Sequence, residues 1–398
     1  MKAAAVALSL ALLLVLAALP VTAPGSSAAA EPSAERVYEL VDTISDWYRY
    51  LDTPGHHAAE AFIAETMEGY GLEVYRQEFT VNQGGQQLDA VNVVGYYEGK
   101  DPNTWLVLGG HYDATISSDS GAYDNAVGTA TVLELARYFT QEVKTQPEIS
   151  LVFGAWDSEE EGGQGSQLFV ESAGGNATVL ANLNFDMFGL SYPIPNRASL
   201  SPLCDEGFFK LYLYTSPVED FSGYTDYEYD NQTRANFSML RKALEQVAYD
   251  ELALPPEWVL AVDDTETNSD QRSFIRAGIP AIWFRGMHEY AWEEGDACEQ
   301  TFKHFSTDRL ESLELIAGSH ANLLAGFQTG LDIAAGLVTE LAYGDTAAPA
   351  AGEDGGGVAG TVLALLVIAV AIAGVAVLVR WRQGRQASPY TPPNFALR

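Results

Sequence analysis

The sequence predicts an α/β fold in which helices cover both faces of a largely parallel, mixed β-sheet. Segments with strand character alternate along the chain with segments of helical periodicity, as in folds built around a parallel sheet. The segment at 149–156 is almost continuously apolar, which is typical of a buried strand. Residues 31–343 are numerous enough for one large domain with an ample core.

The predicted helices have apolar residues at the spacing of one helix face, and they occur at 35–51, 57–70, 127–138, 167–172, 232–249 and 310–341. Gly71 provides a stop signal for the second helix. The predicted strands are short apolar or alternating segments, at 72–81, 88–97, 104–108, 149–156, 179–185, 208–214 and 279–284. Two helices therefore precede three strands, and helices and strands then largely alternate as far as the closing helix.

The N-terminus has the composition of a secretory signal. Met1 and Lys2 precede an uncharged run at 3–19 and a stretch of small residues that ends at Ala30. This layout predicts a signal peptide at 1–30, with an uncleaved N-terminal anchor as the alternative.

The C-terminus has the composition of a membrane anchor. Residues 358–379 carry no charge and are long enough to cross a bilayer as one helix, and three arginines follow within 380–385. Such a cluster of bases predicts a cytoplasmic tail at 380–398. Gly-rich residues at 344–357 would form a flexible linker. We therefore expect a single-pass protein of the cell membrane, with its domain outside the cytoplasm.

The chain is strongly acidic, with 54 acidic against 21 basic residues and a formal net charge of −33. Such a field repels nucleic acid and anionic lipid headgroups and favours cationic ligands. Nucleic acid is therefore excluded as a partner, whereas adaptation to high salt is left open. Cys204 and Cys298 could form one disulfide or remain separate thiols.

Side chains that can bind metal follow several predicted strands. Glu159 and Glu160 come after the strand at 149–156, His111 follows the strand at 104–108, and Asp186 follows the strand at 179–185. The carboxyl ends of parallel strands meet at one edge of the sheet, where such folds bind their ligands. One carboxylate of an adjacent pair can bind a cation while the other moves a proton. With Asp124 and His304, the candidate ligands are His111, Asp124, Glu160, Asp186 and His304.

Four short segments resemble motifs of the leucyl aminopeptidase and aminopeptidase Y family of di-zinc exopeptidases, whose relatives include glutamate carboxypeptidases and glutaminyl cyclases. The segments are His111-Tyr-Asp113, Gly121-Ala-Tyr-Asp-Asn-Ala-Val-Gly128, Glu159-Glu-Glu-Gly-Gly-Gln-Gly-Ser166 and His304-Phe-Ser-Thr-Asp308. Asp186 fills the remaining ligand position, and the resemblance covers about residues 35–340.

The resemblance implies two zinc ions, or other divalent metals, and a role for each residue of the site. His111 and Asp186 would hold one ion, Glu160 and His304 the other, and Asp124 would bridge them. Glu159 would be the general base that takes the proton of the attacking water. Asp113 would accept the free ring N–H of His111, and Asp270 would lie behind the ligands. The remaining histidines have no ligand position and are assigned to the surface, a pocket or the packing, namely His56, His57, His288 and His320.

The chain departs from the family at Gln271, where His is frequent, and at Lys303, where an aromatic residue often precedes the last His. Lys303 could stabilise the oxyanion of the reaction, or it could be a solvent-facing lysine.

The leading prediction is a membrane-tethered metallo-aminopeptidase that acts on peptides. A carboxypeptidase of the same scaffold is the alternative, with Arg272, Arg276 and Arg285 as candidates to bind the substrate carboxylate. The complete ligand set argues against a one-zinc glutaminyl cyclase. It also argues against a non-catalytic receptor of the nicastrin type, because such relatives typically lack ligands.

Overall fold

The computed structural model describes residues 31–173, 177–190, 209–219, 224, 228–288 and 303–344. The predicted signal peptide, membrane helix and tail, all but the first residue of the predicted linker, and both cysteines lie outside these ranges. Among the described residues, no helix combines the length and the apolar character that a membrane span requires.

The described residues form one sheet of eight strands, which are β1 (Glu73–Gln83), β2 (Gln86–Tyr97), β3 (Asp101–His111), β4 (Ile149–Trp156), β5 (Thr178–Phe185), β6 (Phe209–Thr215), β7 (Val259–Asp263) and β8 (Ala281–His288). Their order across the sheet is β1-β2-β4-β3-β5-β8-β6-β7. Strands β4, β3, β5 and β8 are parallel to their neighbours within this group, and β6 is parallel to β7. The pairs β1–β2, β2–β4 and β6–β8 are antiparallel. The predicted mixed, largely parallel sheet is confirmed.

The helices of the described residues are α1 (Ala34–Ser45), α2 (Pro54–Gly69), α3 (Val127–Arg137), α4 (Gln164–Ala173), α5 (Asn231–Glu245), α6 (Gln271–Arg276), α7 (Leu310–Ala317) and α8 (His320–Val338). They cover both faces of the sheet, as the alternation along its central strands shows. Leu106 and Leu108 of β3 join the large apolar cluster that contains residues of α1, α2, α3 and α8. Val107, between them, joins a second cluster with residues of α4 and α6. Because successive side chains of a strand point to opposite faces, the two clusters lie on opposite sides of the sheet.

Two predicted helices need correction, and two short elements were not predicted. The single helix predicted at 310–341 is wrong, because Gly318 adopts a left-handed φ of 81° that ends α7, and the side chain of Ser319 then caps α8. The helix predicted at 35–51 ends at Ser45, and the chain turns so that Arg49 is fully buried. Strand β7 and helix α6 were not predicted, since both are too short to establish a clear periodicity.

Candidate active site

The sheet brings together three of the five candidate ligands at the carboxyl ends of adjacent parallel strands. His111 is the last residue of β3, Glu160 follows β4, and Asp186 directly follows β5. Asp124 lies in the irregular turn Ala122–Ala126 that leads into α3, and His304 lies in the segment before α7. The fold thus places all five at one edge of the sheet, where the strand ends predicted His111, Glu160 and Asp186.

The ligand atoms fall into two groups that share Asp124. In the first group, Nε2 of His111 is 3.3 Å from Oδ1 of Asp124 and 3.5 Å from Oδ1 of Asp186. In the second, Nε2 of His304 is 2.9 Å from Oδ2 of Asp124 and 3.4 Å from Oε2 of Glu160. Within each group the ligand atoms lie within 4.8 Å of one another. The two oxygens of Asp124 therefore face different groups, which is the arrangement that a bridging carboxylate requires.

The residues of both groups fit divalent metal ions. Nε2 of His111, Oε1 of Glu160 and Oδ1 of Asp186 are buried and make no hydrogen bond in the described structure. A buried polar atom without a partner costs free energy, and a cation would offset that cost for each of these atoms. One imidazole with carboxylate oxygens is also a ligand set that zinc accepts.

Asp113 connects the first histidine with the glutamate pair. Its Oδ1 accepts a hydrogen bond from the backbone N–H of Glu159 at 3.1 Å, and its Oδ2 accepts from that of Glu160 at 3.2 Å. Nδ1 of His111 is 3.3 Å from Oδ1 and 3.2 Å from the carbonyl oxygen of the same residue. Asp113 therefore lies where the resemblance placed it, and it also fixes the segment that carries Glu159.

Glu159 lines the cleft next to the candidate ligands. Burial raises the pKa of Glu159 well above its usual range, and the carboxylates of Asp270 and Asp186 raise it further, whereas His111 opposes the shift. Cations held by the ligands would lower this pKa again, because they favour the charged carboxylate. Bound metal would therefore favour the carboxylate form of Glu159 that a general base requires.

Asp270 is fully buried just before α6, and burial raises its pKa to about 7, with Asp186 contributing. Gln271 is buried beside it and binds protein groups. Its Nε2 donates to Asp264 at 3.0 Å, and its Oε1 accepts from Asn184 at 3.2 Å. Gln271, which stands where the family frequently has His, therefore binds neighbouring protein groups and adds no metal ligand.

Asp308 belongs to the His304 motif, but the motif alone did not reveal its contacts. Its Oδ1 accepts from the backbone N–H of Tyr123 at 2.7 Å, and its Oδ2 accepts from that of Asp124 at 3.1 Å. Burial raises the pKa of Asp308 to about 7, although these hydrogen bonds oppose the shift. Asp308 holds the backbone of the shared ligand in place.

Arg49 was missed by sequence reasoning. It is fully buried, and it donates to the carbonyl oxygens of Tyr112 at 2.7 Å, Gly121 at 2.8 Å and Ile44 at 2.9 Å, and also to that of Ser120. These contacts close both ends of the loop that joins His111 to the turn of Asp124. No local sequence signal could have found this role, because the contacts to Tyr112, Ser120 and Gly121 go to backbone carbonyl groups of a distant loop.

The metal residues open onto a cleft of about 280 Å³, which is lined by Asp124, Glu159, Glu160, Asp186, Met187, Glu266, Asn268, Ser269, Trp283, Arg285, Lys303 and His304. Lys303 is 8% exposed, so its side chain is not the solvent-facing lysine of the alternative. Of the three arginines considered for a substrate carboxylate, Arg285 lines this cleft, whereas Arg272 and Arg276 line a separate cavity of about 230 Å³.

His56, His57 and His320 do not join the metal groups. His56 is buried and its Nε2 is 2.9 Å from Oδ1 of Asp157, while the ring stacks on Tyr112 with the centroids 5.1 Å apart. His57 and His320 are half-exposed and contact Asp52 and Glu314. The side chain of His288 lies outside the described residues.

Comparison with known proteins identifies relatives for most of the domain. The model of the peptidase family M28 matches residues 92–325. Leupeptin-inactivating enzyme 1 of Streptomyces exfoliatus is 33% identical over 141 residues, which are 35% of this chain and 31% of that protein. A probable zinc metalloprotease of Pyrenophora tritici-repentis is 27% identical over 259 residues, which are 60% of this chain and 52% of that protein. The chain thus spans between about a third and about a half of the length of these relatives.

Solved structures show the same fold at low sequence identity. A glutaminyl cyclase of Porphyromonas gingivalis superposes with a TM-score of 0.56 and 20% identity, over 78% of this chain and 99% of that one. An aminopeptidase of Aneurinibacillus sp. strain AM-1 superposes with a TM-score of 0.54 and 16% identity, over 79% of this chain and 95% of that one.

Proposed function

The chain belongs to peptidase family M28, and from this premise we propose that it is a zinc-dependent aminopeptidase that removes N-terminal residues from peptides. The observation that carries the proposal is the geometry of the cleft. It joins two groups of metal-binding atoms through Asp124 and places an additional carboxyl group, Glu159, beside them. A protein that only bound peptides would have no use for that additional group.

His111 and Asp186 would hold one zinc ion, Glu160 and His304 the second, and Asp124 both. Zinc bound there would polarise the peptide carbonyl group and lower the pKa of a water molecule towards neutrality. The relative described as a probable zinc metalloprotease supports the choice of zinc.

Glu159 would take the proton from the attacking water and give it to the departing amine. Glu159 lines the same cleft as the metal-binding residues, and the charges of His111 and Asp186 both affect its pKa. A base that shuttles one proton in this way typically contributes 10²–10⁴-fold to the rate, as an order-of-magnitude estimate. Asp113 would keep the base in place through its bond to the N–H of Glu159.

The acidic cleft favours the free α-ammonium group of a substrate, which supports an aminopeptidase. The alternative is a carboxypeptidase, and the position of Arg285 in the cleft is the observation that favours it. However, Arg285 contacts the carboxylate of Glu266, which would repel a second carboxylate. The cleft therefore suits an ammonium group better than a terminal carboxylate.

Peptides with one end blocked test this proposal. Acetylation of the N-terminus should abolish cleavage by the purified, zinc-loaded chain, whereas amidation of the C-terminus should change the rate by no more than a few-fold. The reverse pattern would establish the carboxypeptidase instead.

The proposed location is the cell membrane, with the domain outside the cytoplasm and the C-terminus inside. It rests on the apolar run at 3–19 and on the uncharged run at 358–379 with the arginines after it. Protease added to intact cells should digest the domain and spare the tail. A domain that survives in intact cells and is digested after lysis would refute this topology.

A further inference from the structure

Three residues that line the cleft without belonging to the metal groups form a cluster, namely Glu266, Trp283 and Arg285. The guanidinium of Arg285 lies over the ring of Trp283, 4.9 Å from its centre. Nη1 of Arg285 is 3.7 Å from Oε2 of Glu266, and the two side chains are 3% and 13% exposed. The cleft therefore contains a cation and an anion side by side, largely shielded from water.

The cluster is fixed in relation to the metal groups. The indole N–H of Trp283 donates to the backbone carbonyl oxygen of Asp186 at 3.0 Å. The loop that carries Glu266 is held by the buried carboxylate of Asp264, which accepts from the backbone N–H of Glu266 at 3.0 Å and from Thr267 at 3.3 Å. A substrate group that reaches this cluster thus has a defined distance from the reacting atoms.

We infer that Arg285 and Glu266 form the subsite for the side chain of the substrate's first residue, and that the subsite selects the carboxamide of asparagine or glutamine. This inference rests on the proposed aminopeptidase function and names its substrate class. A carboxamide has an oxygen that can accept from the guanidinium and an NH₂ group that can donate to the carboxylate.

Other side chains match the cluster less well. A substrate carboxylate near Arg285 would approach Glu266, and a substrate ammonium near Glu266 would approach Arg285, so both would meet a like charge. An aliphatic side chain would offer no hydrogen bond to either charged group. It would also gain little from Trp283, because the guanidinium lies over that ring.

The first experiment compares five dipeptide amides that differ only in the first residue, which is Asn, Gln, Glu, Lys or Leu. The purified, zinc-loaded full chain should show kcat/KM values for Asn or Gln at least about tenfold above those for Glu, Lys and Leu, since among these side chains only a carboxamide offers both an acceptor to the guanidinium and a donor to the carboxylate. Mass analysis of the products must show the free amino acid. A Leu substrate that equals or exceeds both carboxamides would overturn the inference and leave the aminopeptidase intact. Failure to cleave all five would contradict the proposed function itself.

Two variants assign the selectivity to the cluster. Arg285→Met should lower kcat/KM for the carboxamides about tenfold or more, chiefly through KM, with little change for Leu. Glu266→Gln keeps the shape but removes the anion, so the ratio of Glu to Gln cleavage should rise by about tenfold or more. Arg76→Met, on β1 with a 40% exposed side chain, is the matched control and should change neither ratio. Zinc content measured on each variant shows whether the site is intact. If both cluster variants retain zinc and the wild-type ratios, Arg285 and Glu266 do not form the subsite.

Discussion

Replacing Arg49 by Met tests whether a residue without substrate contact assembles the metal site. In the wild type, a fully buried guanidinium donates to the carbonyl oxygens of Tyr112, Ser120 and Gly121, and also to that of Ile44. Met has a similar length but no donor, so these buried carbonyl groups would lose their partner. The loop between His111 and Asp124 would then be closed at neither end.

The size of the effect follows from two opposing terms. Each buried carbonyl group left without a donor costs about 1–3 kcal/mol. Removal of the buried charge offsets part of this loss of stability, because burial disfavours the charged guanidinium and lowers the pKa of Arg49 to about 10. We therefore expect a net loss of about 3–5 kcal/mol in the free energy of unfolding, as for other broken buried charge contacts. Metal affinity should fall about 10–100-fold, the usual effect of losing a group that orients metal ligands.

Urea unfolding of the zinc-loaded chain and competition with a zinc chelator would measure the two quantities. Arg49→Lys keeps the charge but offers three donors in place of five, so its loss should be smaller. Arg76→Met removes an exposed ion pair with Glu60 and should cost about 0–1 kcal/mol. The reasoning fails if Arg49→Met stays within about 1 kcal/mol of the wild type and retains its zinc affinity.

Four further predictions concern the site and its surroundings. Glu159→Gln should keep the zinc content and lower kcat about 10²–10⁴-fold. If zinc content and kcat instead fall by the same factor, Glu159 is a metal ligand. Lys303→Met should lower kcat about 10²–10³-fold with zinc unchanged if Lys303 stabilises the oxyanion, whereas activity within a few-fold of the wild type would exclude that role. Burial lowers the pKa of His56, but the hydrogen bond and charge of Asp157 outweigh it and raise the pKa above its ordinary value. The stability contributed by protonation of His56 is therefore full at about pH 6.5 and is lost as pH rises through the higher folded-state pKa. His56→Gln should flatten this part of a plot of unfolding free energy against pH. Burial and neighbouring carboxylates raise the pKa of Glu159 and Glu160. The folded, chelator-treated chain should therefore bind more protons than the unfolded chain, and it should unfold more easily at about pH 8 than at about pH 6. Equal stability at the two pH values would contradict this.

The sequence predicted the parts of the site that depend on strand ends. His111 ends an apolar strand, Glu160 and Asp186 each follow one, and these three adjacent parallel strands bring them together. The residues that hold the ligands in place were harder to predict from the sequence. Arg49 holds the loop of the site through the backbone carbonyl groups of Tyr112 and Gly121, more than 60 residues away, which leave no side-chain pattern in the sequence. The break at Gly318 could have been predicted, because Gly followed by Ser is a common sequence for one helix to end and another to begin.

The carboxylates at this edge of the sheet serve two different purposes. Asp124, Glu160 and Asp186 direct their oxygens towards the metal groups. Asp113 and Asp308 use theirs to bind backbone N–H groups of Glu159, Glu160, Tyr123 and Asp124.

These backbone contacts link the ligands in pairs. Asp113, two residues after His111, fixes the segment of Glu160, and Asp308, four residues after His304, fixes the segment of Asp124. Each histidine segment therefore holds a carboxylate ligand from elsewhere in the chain, and displacing one segment displaces the other. Because the two histidine motifs each encode a ligand and the support of a second ligand, they connect parts of the site that lie far apart in the sequence.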